Sequence, residues 1–436
     1  MGDIFLRMSV SRYMKFFEKS QMWSYEQIEK HQNRKLRQLI IHVYENIPFY
    51  HNLFRKLEIY PEDIKSSKDL KRLPILTKED IINDFSAFQA TNIKQFGPIQ
   101  RRTGGTTGKP FRYYMDRDSL SASWAINFRG WSWSGYKYGD KIVTIAGSSL
   151  VPNEKASFKK RIRSFMERNY GFSGAHLSNE IMGVYATQIQ KINPEFLRGY
   201  PSSIFSFAKF IQKENIRTIK PRAVFVTAEV LYPHVRKFIE STFDCPVFNY
   251  YGCGDGGANA NECKEHTGFH ISCDRTIMEF VDLENNGERV STGERGEIIL
   301  TDLHNYAMPF IRYSPADTGV LSSETCSCGR VLPLLKDIEG RTTDIIEFSN
   351  GISLSGPAFT LVFKDFNIDY YQLIQKKRDK LIIRLMVGKN YTQEESKKIL
   401  EIMRYHCGEG VELELEFVDT IPTTKNSKFK FIISEI

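Results

Sequence analysis

The sequence predicts an α/β protein in two parts: a large N-terminal α/β domain with a β-rich subdomain, and a small C-terminal α+β unit. Three observations predict it. After Gly135, apolar strand-like segments (KIVTIAG, FLRGY, RAVFVTAE, CPVFNYYG) alternate with helical patterns at about 180–192, 202–213 and 232–243. From 275 to 320 the texture turns β-rich, with TIMEFVDLENNGERV reading as a hairpin around Asn286-Gly287 and GEIILTDL as a further strand. The last segment, 340–436, contains a strand pair (YYQLIQKKRDKLIIRLMV), a helix (TQEESKKILEIMRYH) that Thr392 can cap, and an alternating strand (VELELEFV). A length of 436 residues agrees with two cores, and the boundary is placed between 1–339 and 340–436.

Ahead of the alternating region, 24–46 and 77–88 mix charged and apolar residues at helical spacing. Thr77 can cap the second, and Glu79 and Asp80 suit the positive end of its first turn. Arg7, Arg12 and Lys15 lie beside Ile4, Phe5, Phe16 and Phe17, so the N-terminal segment fits either a helix packed on its own domain or a basic helix on a membrane surface.

Composition narrows the function classes. Hydrophobic residues make up 41% and charged residues 26%, which describes an ordinary globular protein rather than a disordered one. The N-terminus lacks the uninterrupted apolar stretch of a signal peptide, and no run has the length of a transmembrane segment; the expected location is the cytoplasm. A net charge of +8, spread along the chain, suits either anionic substrates or simply a solvated surface, and lacks the basic-aromatic band of a nucleic-acid binder. Five of the seven cysteines crowd between Cys253 and Cys328, without disulfide-scaffold spacing.

RRTGGTTGKP, residues 101–110, looks built to hold phosphate, because small residues let backbone N–H groups approach an anion and the hydroxyls donate further bonds. It is no Walker A loop. The position five before Gly108 is Thr103 rather than glycine, Pro110 stands where a hydroxyl would bind magnesium, and FRYYMD continues as a strand instead of a helix.

Further motifs follow in order: AEV at 228–230, YYGCGD at 250–255, IRYSPADTG at 311–319, GRTTDII at 340–346 and PTTKNSKFK at 422–430. With the loop, they resemble the adenylate-forming superfamily of acyl-CoA synthetases, luciferases and peptide-synthetase adenylation domains. YENIPFYHNLF, LKRLPILTKEDI, RGYPSSI and VFVTAEVLYPHVRKFIESTF are similar to the branch of phenylacetate-CoA ligase and CapK-type capsule biosynthesis proteins. The resemblance spans nearly the whole chain, and it implies an adenylation domain followed by a C-terminal lid joined through a hinge.

The resemblance also implies roles. Thr103, Gly104, Gly105, Thr106, Thr107 and Gly108 would hold the β- and γ-phosphates of ATP while a carboxylate attacks the α-phosphorus. Glu229 would lie against adenine, the Tyr251 ring, followed by Gly252, would pack on it, and Arg341 would sit near the ribose. Asp317 would accept hydrogen bonds from the ribose hydroxyls. Asp255 would reach Mg2+, Lys428 would stabilise charge on the reacting carboxylate and phosphate, and Thr343 would stand at the hinge. Trp131 and Tyr136, in the aromatic cluster WAINFRGWSWSGYKYG, lie where relatives build the acid pocket, and suit an aromatic core equally well.

Several positions depart from the family pattern: Gly254 replaces a hydroxyl residue, Asp255 replaces a glutamate one methylene longer, Thr343 replaces the usual hinge aspartate or lysine, Ser427 replaces a glycine, and the arginine usual after Lys428 is absent from its place. Cys263 and His270 in CKEHTGFH, with Cys326 and Cys328 in CSCGR, are four ligands soft enough for a structural Zn2+, an arrangement many members of the branch carry. Cys253 and His266 are alternative ligands, while Cys245 and Cys273 suit the core.

The sequence therefore points to an ATP-dependent, AMP-forming ligase. It would convert a small carboxylic acid to an acyl-adenylate and pass the acyl group to coenzyme A, or to a sugar or amine acceptor, with a link to surface polysaccharide synthesis and a homodimer as one possible assembly. The rivals are a catalytically impaired nucleotide-binding relative, motivated by the departures at Gly254, Thr343 and Ser427, and a zinc-dependent nucleic-acid binder.

Overall fold

A computed structural model of the chain describes residues 9–103, 111–147, 150–151, 168–174, 177–228, 231, 233–339, 345–355, 359, 362–363, 366–387, 391–419 and 432–436. The contacts divide the chain into two compact units, one formed by 1–102, 112–138 and 248–340, the other by 103–111, 139–247 and 341–436.

The first unit joins N-terminal helices to an antiparallel sheet. Helix Tyr25–Asn46 starts at a capping box between Ser24 and Gln27 and buries Ile28, Leu36, Leu39, Ile40 and Val43 at helical spacing. Helix Val10–Ser20 buries Tyr13 and Phe17, one turn apart, against Ala122, Ala125 and Ile126 of helix Arg117–Ser132. Its apolar face is thus used within its own unit, while Arg12 and Lys15 are exposed, which is the packing alternative rather than the membrane one. Arg7, Ile4 and Phe5 lie outside the described residues.

One expected helix is shorter than its pattern. The segment 77–88 is helical only over Lys78–Asn83, because Asp84 leaves helical geometry and the chain turns through a bond from Ala87 N–H to the Asp84 carbonyl. The turn carries Phe88 into the core, where its ring stacks on Phe49 with centroids 4.0 Å apart.

Within this unit, neighbouring strands run in the order Glu288–Arg289, Thr276–Asp282, Arg295–Asp302, Thr318–Leu321, Leu334–Glu339, Phe269–Ile271, Ala258–Glu262 and Val247–Cys253, each pair antiparallel. The first two form the expected hairpin, with Asp282 opposite Glu288 and positive φ at both Asn286 and Gly287. Buried polar contacts tie the helices to the sheet: Arg129 bonds Asp274, which also accepts from Ser20, and Asp302, paired with Arg275, accepts from Ser119 of helix Arg117–Ser132. Removing one partner of such a pair strands the other charge, so these contacts fix the docking of the helices.

The second unit contains four parallel strands, in the order Ala223–Thr227, Phe196–Gly199, Ile142–Ala146 and Asn169–Ser173. Helices Asn179–Ile192, Pro201–Lys213 and Pro233–Phe243 supply Ile189, Ile204, Phe207 and Ile239 to their core. Gly199 is required: a Cβ there would lie 2.2 Å from the Ile145 carbonyl oxygen. The same unit includes a four-stranded sheet ordered Glu412–Phe417, Lys380–Val387, Ile368–Lys377 and Ile432–Ser434. Helix Gln393–Cys407, capped by the Thr392–Glu395 box, covers that sheet with Ile399, Met403 and Cys407.

Candidate active site

Two motifs far apart in sequence meet. Tyr251 stands on strand Val247–Cys253, and Asp317 immediately precedes strand Thr318–Leu321. The Tyr251 hydroxyl donates to Asp317 Oδ2 at 2.8 Å. The approach to Asp317 is taut: Ala316 takes a left-handed φ of 66°, its N–H donates to Ser314 Oγ at 3.0 Å, and the Asp317 carbonyl accepts from Ile298 N–H at 2.8 Å. Burial, and then the Asp317 charge, hold the Tyr251 hydroxyl well above its ordinary pKa, so it acts as a donor.

Asp255 lies in the turn after the same strand and is buried, with 6% of its side chain exposed. Tyr313 Oη donates to Oδ2 at 2.6 Å, Cys253 Sγ donates to Oδ1 at 3.2 Å, and Lys78 Nζ lies 3.7 Å from Oδ2. Burial pushes this carboxyl up, but the Lys78 ammonium and the two donated hydrogen bonds outweigh it, and the net shift is downward. Asp255 is therefore a fixed anion whose oxygens suit a hard cation in type and charge. At Gly254 a Cβ would come within 3.2 Å of Tyr113 Oη, so a larger residue there requires that hydroxyl to shift by a few tenths of an ångström.

Other expected site residues are placed less fully. Thr103 ends strand Ile99–Thr103, which pairs with Phe111–Met115. Gly104, Gly105, Thr106, Thr107 and Gly108 lie outside the described residues, as do Glu229, Arg341, Thr343, Ser427 and Lys428. Ala228, next to Glu229, is exposed with φ of 70°. Gly252 is exposed beside Tyr251. Trp131 and Tyr136 are buried, ring edge to ring face at 5.5 Å, with Phe128 against both.

Cys263, His270, Cys326 and Cys328 come together, with their ligand atoms all within 4.8 Å of one another. Cys263 follows strand Ala258–Glu262, His270 lies in Phe269–Ile271, and register pairing of His270 with Leu334 brings in the loop holding both other cysteines. His270 Nδ1 faces the Leu332 carbonyl at 3.3 Å, so the proton belongs there and Nε2 faces Cys328 Sγ at 3.3 Å. Burial pushes the imidazole pKa down to about 4 and the Cys263 thiol up to about 12. Thr267 Oγ1 donates to Cys326 Sγ at 3.5 Å. Three sulfurs and one neutral imidazole nitrogen at this spacing fit Zn2+, with an oriented outer shell. The two alternative ligands are engaged elsewhere: His266 pairs with Glu262, and Cys253 bonds Asp255.

Sequence reasoning missed several neighbours. Lys78 and Tyr313 lie inside the TKED and IRYSPADTG motifs, yet neither had a role. Trp133 packs its ring edge against His270 at 5.3 Å, Arg330 stacks on the same indole at 4.4 Å, and Gln21 Oε1 accepts from both Trp133 Nε1 and Arg330 Nε. Only the position of Arg330, two residues after Cys328, hinted at that cluster.

The fold is that of the adenylate-forming CoA ligases. A solved 2-hydroxyisobutyryl-CoA ligase, in complex with 2-HIB-AMP and CoA in the thioesterification state, is similar in fold with a TM-score of 0.67 at 19% identity, covering 95% of this chain and 91% of that one. The CapK C-terminal domain family matches residues 348–435. The CapK protein of Staphylococcus aureus is 25% identical over 454 residues, covering 100% of this chain and 95% of that protein. The phenylacetate-coenzyme A ligase of Thermus thermophilus is 24% identical, covering 86% of this chain and 85% of its own. These likenesses support a place for the chain in the adenylate-forming family, on the side of CapK and the phenylacetate-CoA ligases. No described helix is long and apolar enough to cross a membrane.

Proposed function

We propose that the protein activates a small carboxylic acid with ATP, forming an acyl-adenylate and pyrophosphate, and then passes the acyl group to an acceptor. The observation that carries this reading is the Tyr251–Asp317 hydrogen bond, which joins two motifs with complementary nucleotide roles at one place. In the first step a substrate carboxylate oxygen attacks the α-phosphorus, the bond to the bridging β-oxygen breaks, and pyrophosphate leaves. Asp317 accepts from the ribose hydroxyls, the Tyr251 ring, followed by Gly252, and Glu229 flank adenine, and Arg341 stands near the ribose. The Thr103–Gly108 loop holds the departing phosphates, and Lys428 balances charge on the reacting oxygens.

Magnesium enters as part of Mg-ATP, and Asp255 is the group of this chain suited to meet it. Cys263, His270, Cys326 and Cys328 hold a structural Zn2+, which ties together two hairpin segments of the first unit. Residues 1–339 act as the adenylation domain and 340–436 as the lid, hinged at Thr343. Trp131 and Tyr136 border the acid pocket.

For the second step, coenzyme A as acceptor gives a thioester, and a sugar hydroxyl or amine gives an ester or amide. The CapK likeness favours a role in surface polysaccharide synthesis, in a cytoplasmic enzyme acting as a homodimer or monomer. The test offers coenzyme A, amines and sugars to protein preincubated with ATP and a panel of aryl, fatty and amino acids. An acyl product with one acceptor class is expected. AMP release without acyl transfer to any of them contradicts the second step.

A further inference from the structure

We propose that Lys78 is a positioning residue of the nucleotide site: its ammonium is the standing counter-charge of Asp255 and competes for that carboxylate with the magnesium of Mg-ATP. This rests on reading Asp255 as part of the nucleotide site.

The placement of Lys78 is unusual on physical grounds. It is the first residue of helix Lys78–Asn83, where the positive end of the helix disfavours a cation. Lysine side chains are also seldom buried unless paired, yet this one is only 13% exposed, with Nζ 3.7 Å from Asp255 Oδ2. A dedicated backbone arrangement puts it there. Leu76 N–H donates to the Arg312 carbonyl at 2.8 Å, and Ser314 N–H donates to the Leu76 carbonyl at 2.8 Å, forming a parallel bridge between Leu76 and Tyr313. The Thr77–Asp80 capping box then fixes the turn that leads into Lys78.

The TKED segment is thereby clamped to the same stretch that supplies Tyr313, and Tyr313 and Lys78 converge on one oxygen of Asp255. The N-terminal helical region is thus a working part of the site. A buried carboxylate needs a counter-charge before any ligand arrives, and Lys78 provides it. A divalent ion carried by the nucleotide then meets a carboxylate that already has a cation beside it.

The experiment titrates free Mg2+ against binding of a fluorescent ATP analogue to the full chain, comparing wild type, Lys78→Met and Lys78→Arg, with thermal melts alongside. In Lys78→Met the Mg2+ concentration for half-maximal binding should fall by about fivefold or more, the scale of a 1 kcal/mol competitor, while Lys78→Arg stays within about twofold of wild type. A folded Lys78→Met protein with unchanged Mg2+ dependence overturns the proposal and leaves a purely structural ion pair. If Lys78→Met fails to fold, Lys78→Met/Asp255→Asn removes both charges and should match the Mg2+ dependence of Asp255→Asn alone. A difference between those two variants overturns the proposal. Wild-type protein that binds no nucleotide at any Mg2+ concentration overturns the nucleotide-site reading itself, and this inference with it.

Discussion

Tyr251→Phe removes one bond of the proposed nucleotide site and little else. The ring remains, while the hydroxyl that donates to Asp317 Oδ2 at 2.8 Å is lost. A hydrogen bond to a charged group contributes a net ~1.5–3 kcal/mol, and Asp317 is only half-buried, so water can partly replace the lost donor and the low end applies. At tenfold per ~1.4 kcal/mol, ATP binding should weaken about 12-fold. Calorimetric titration with ATP and with 2′-deoxy-ATP separates the causes. If the hydroxyl orients the carboxylate toward the ribose, the variant loses affinity for ATP and part of its preference for ATP over the deoxy nucleotide. Undiminished discrimination between the two nucleotides would refute the reasoning, even if overall affinity fell.

If the Cys/His quartet holds zinc as proposed, metal analysis should give about one equivalent and chelation should lower the melting temperature by at least about 5 °C; metal-free protein whose melt is insensitive to chelator contradicts the site. Asp116 caps helix Arg117–Ser132, and burial raises its carboxyl to about 6. Its folded pKa lies above the unfolded value, so the folded state binds the extra proton between pH ~4 and ~6. Stability should fall as pH rises through that window, by an upper bound of about 3 kcal/mol, and denaturation profiles of Asp116→Asn should lack that slope. Phe17 is fully buried, and Phe17→Ala should cost about 3–5 kcal/mol in denaturant titrations; a loss below 1 kcal/mol would argue against the packing of the N-terminal helix.

The legible parts of this protein are those where a local rule and the tertiary demand agree. Capping boxes at Thr77 and Thr392 and the Asn286-Gly287 turn are set by a few adjacent residues, and each forms as its sequence implies. The Cys/His quartet was readable because soft ligands clustered in two short segments. The end of the helix at Asn83 was not, since the pull comes from Phe88 packing on Phe49, more than 35 residues away in the chain. The Lys78–Asp255 and Tyr251–Asp317 partners were likewise hidden, because they arise from strand register and from the Leu76–Tyr313 bridge rather than from spacing. Aromatic composition alone did not distinguish the buried Trp131–Tyr136 cluster from Trp133, whose ring serves the cysteine site.

The central claim is carboxylate activation at the expense of ATP, and isotope exchange between pyrophosphate and ATP across a panel of carboxylic acids tests it most directly. The account predicts exchange that requires one class of acid and drops by about 10²-fold or more in Lys428→Ala, the scale of losing one stabilising charge in a transition state. Wild-type protein that binds ATP yet exchanges no pyrophosphate with any acid, or full exchange in Lys428→Ala, would contradict it.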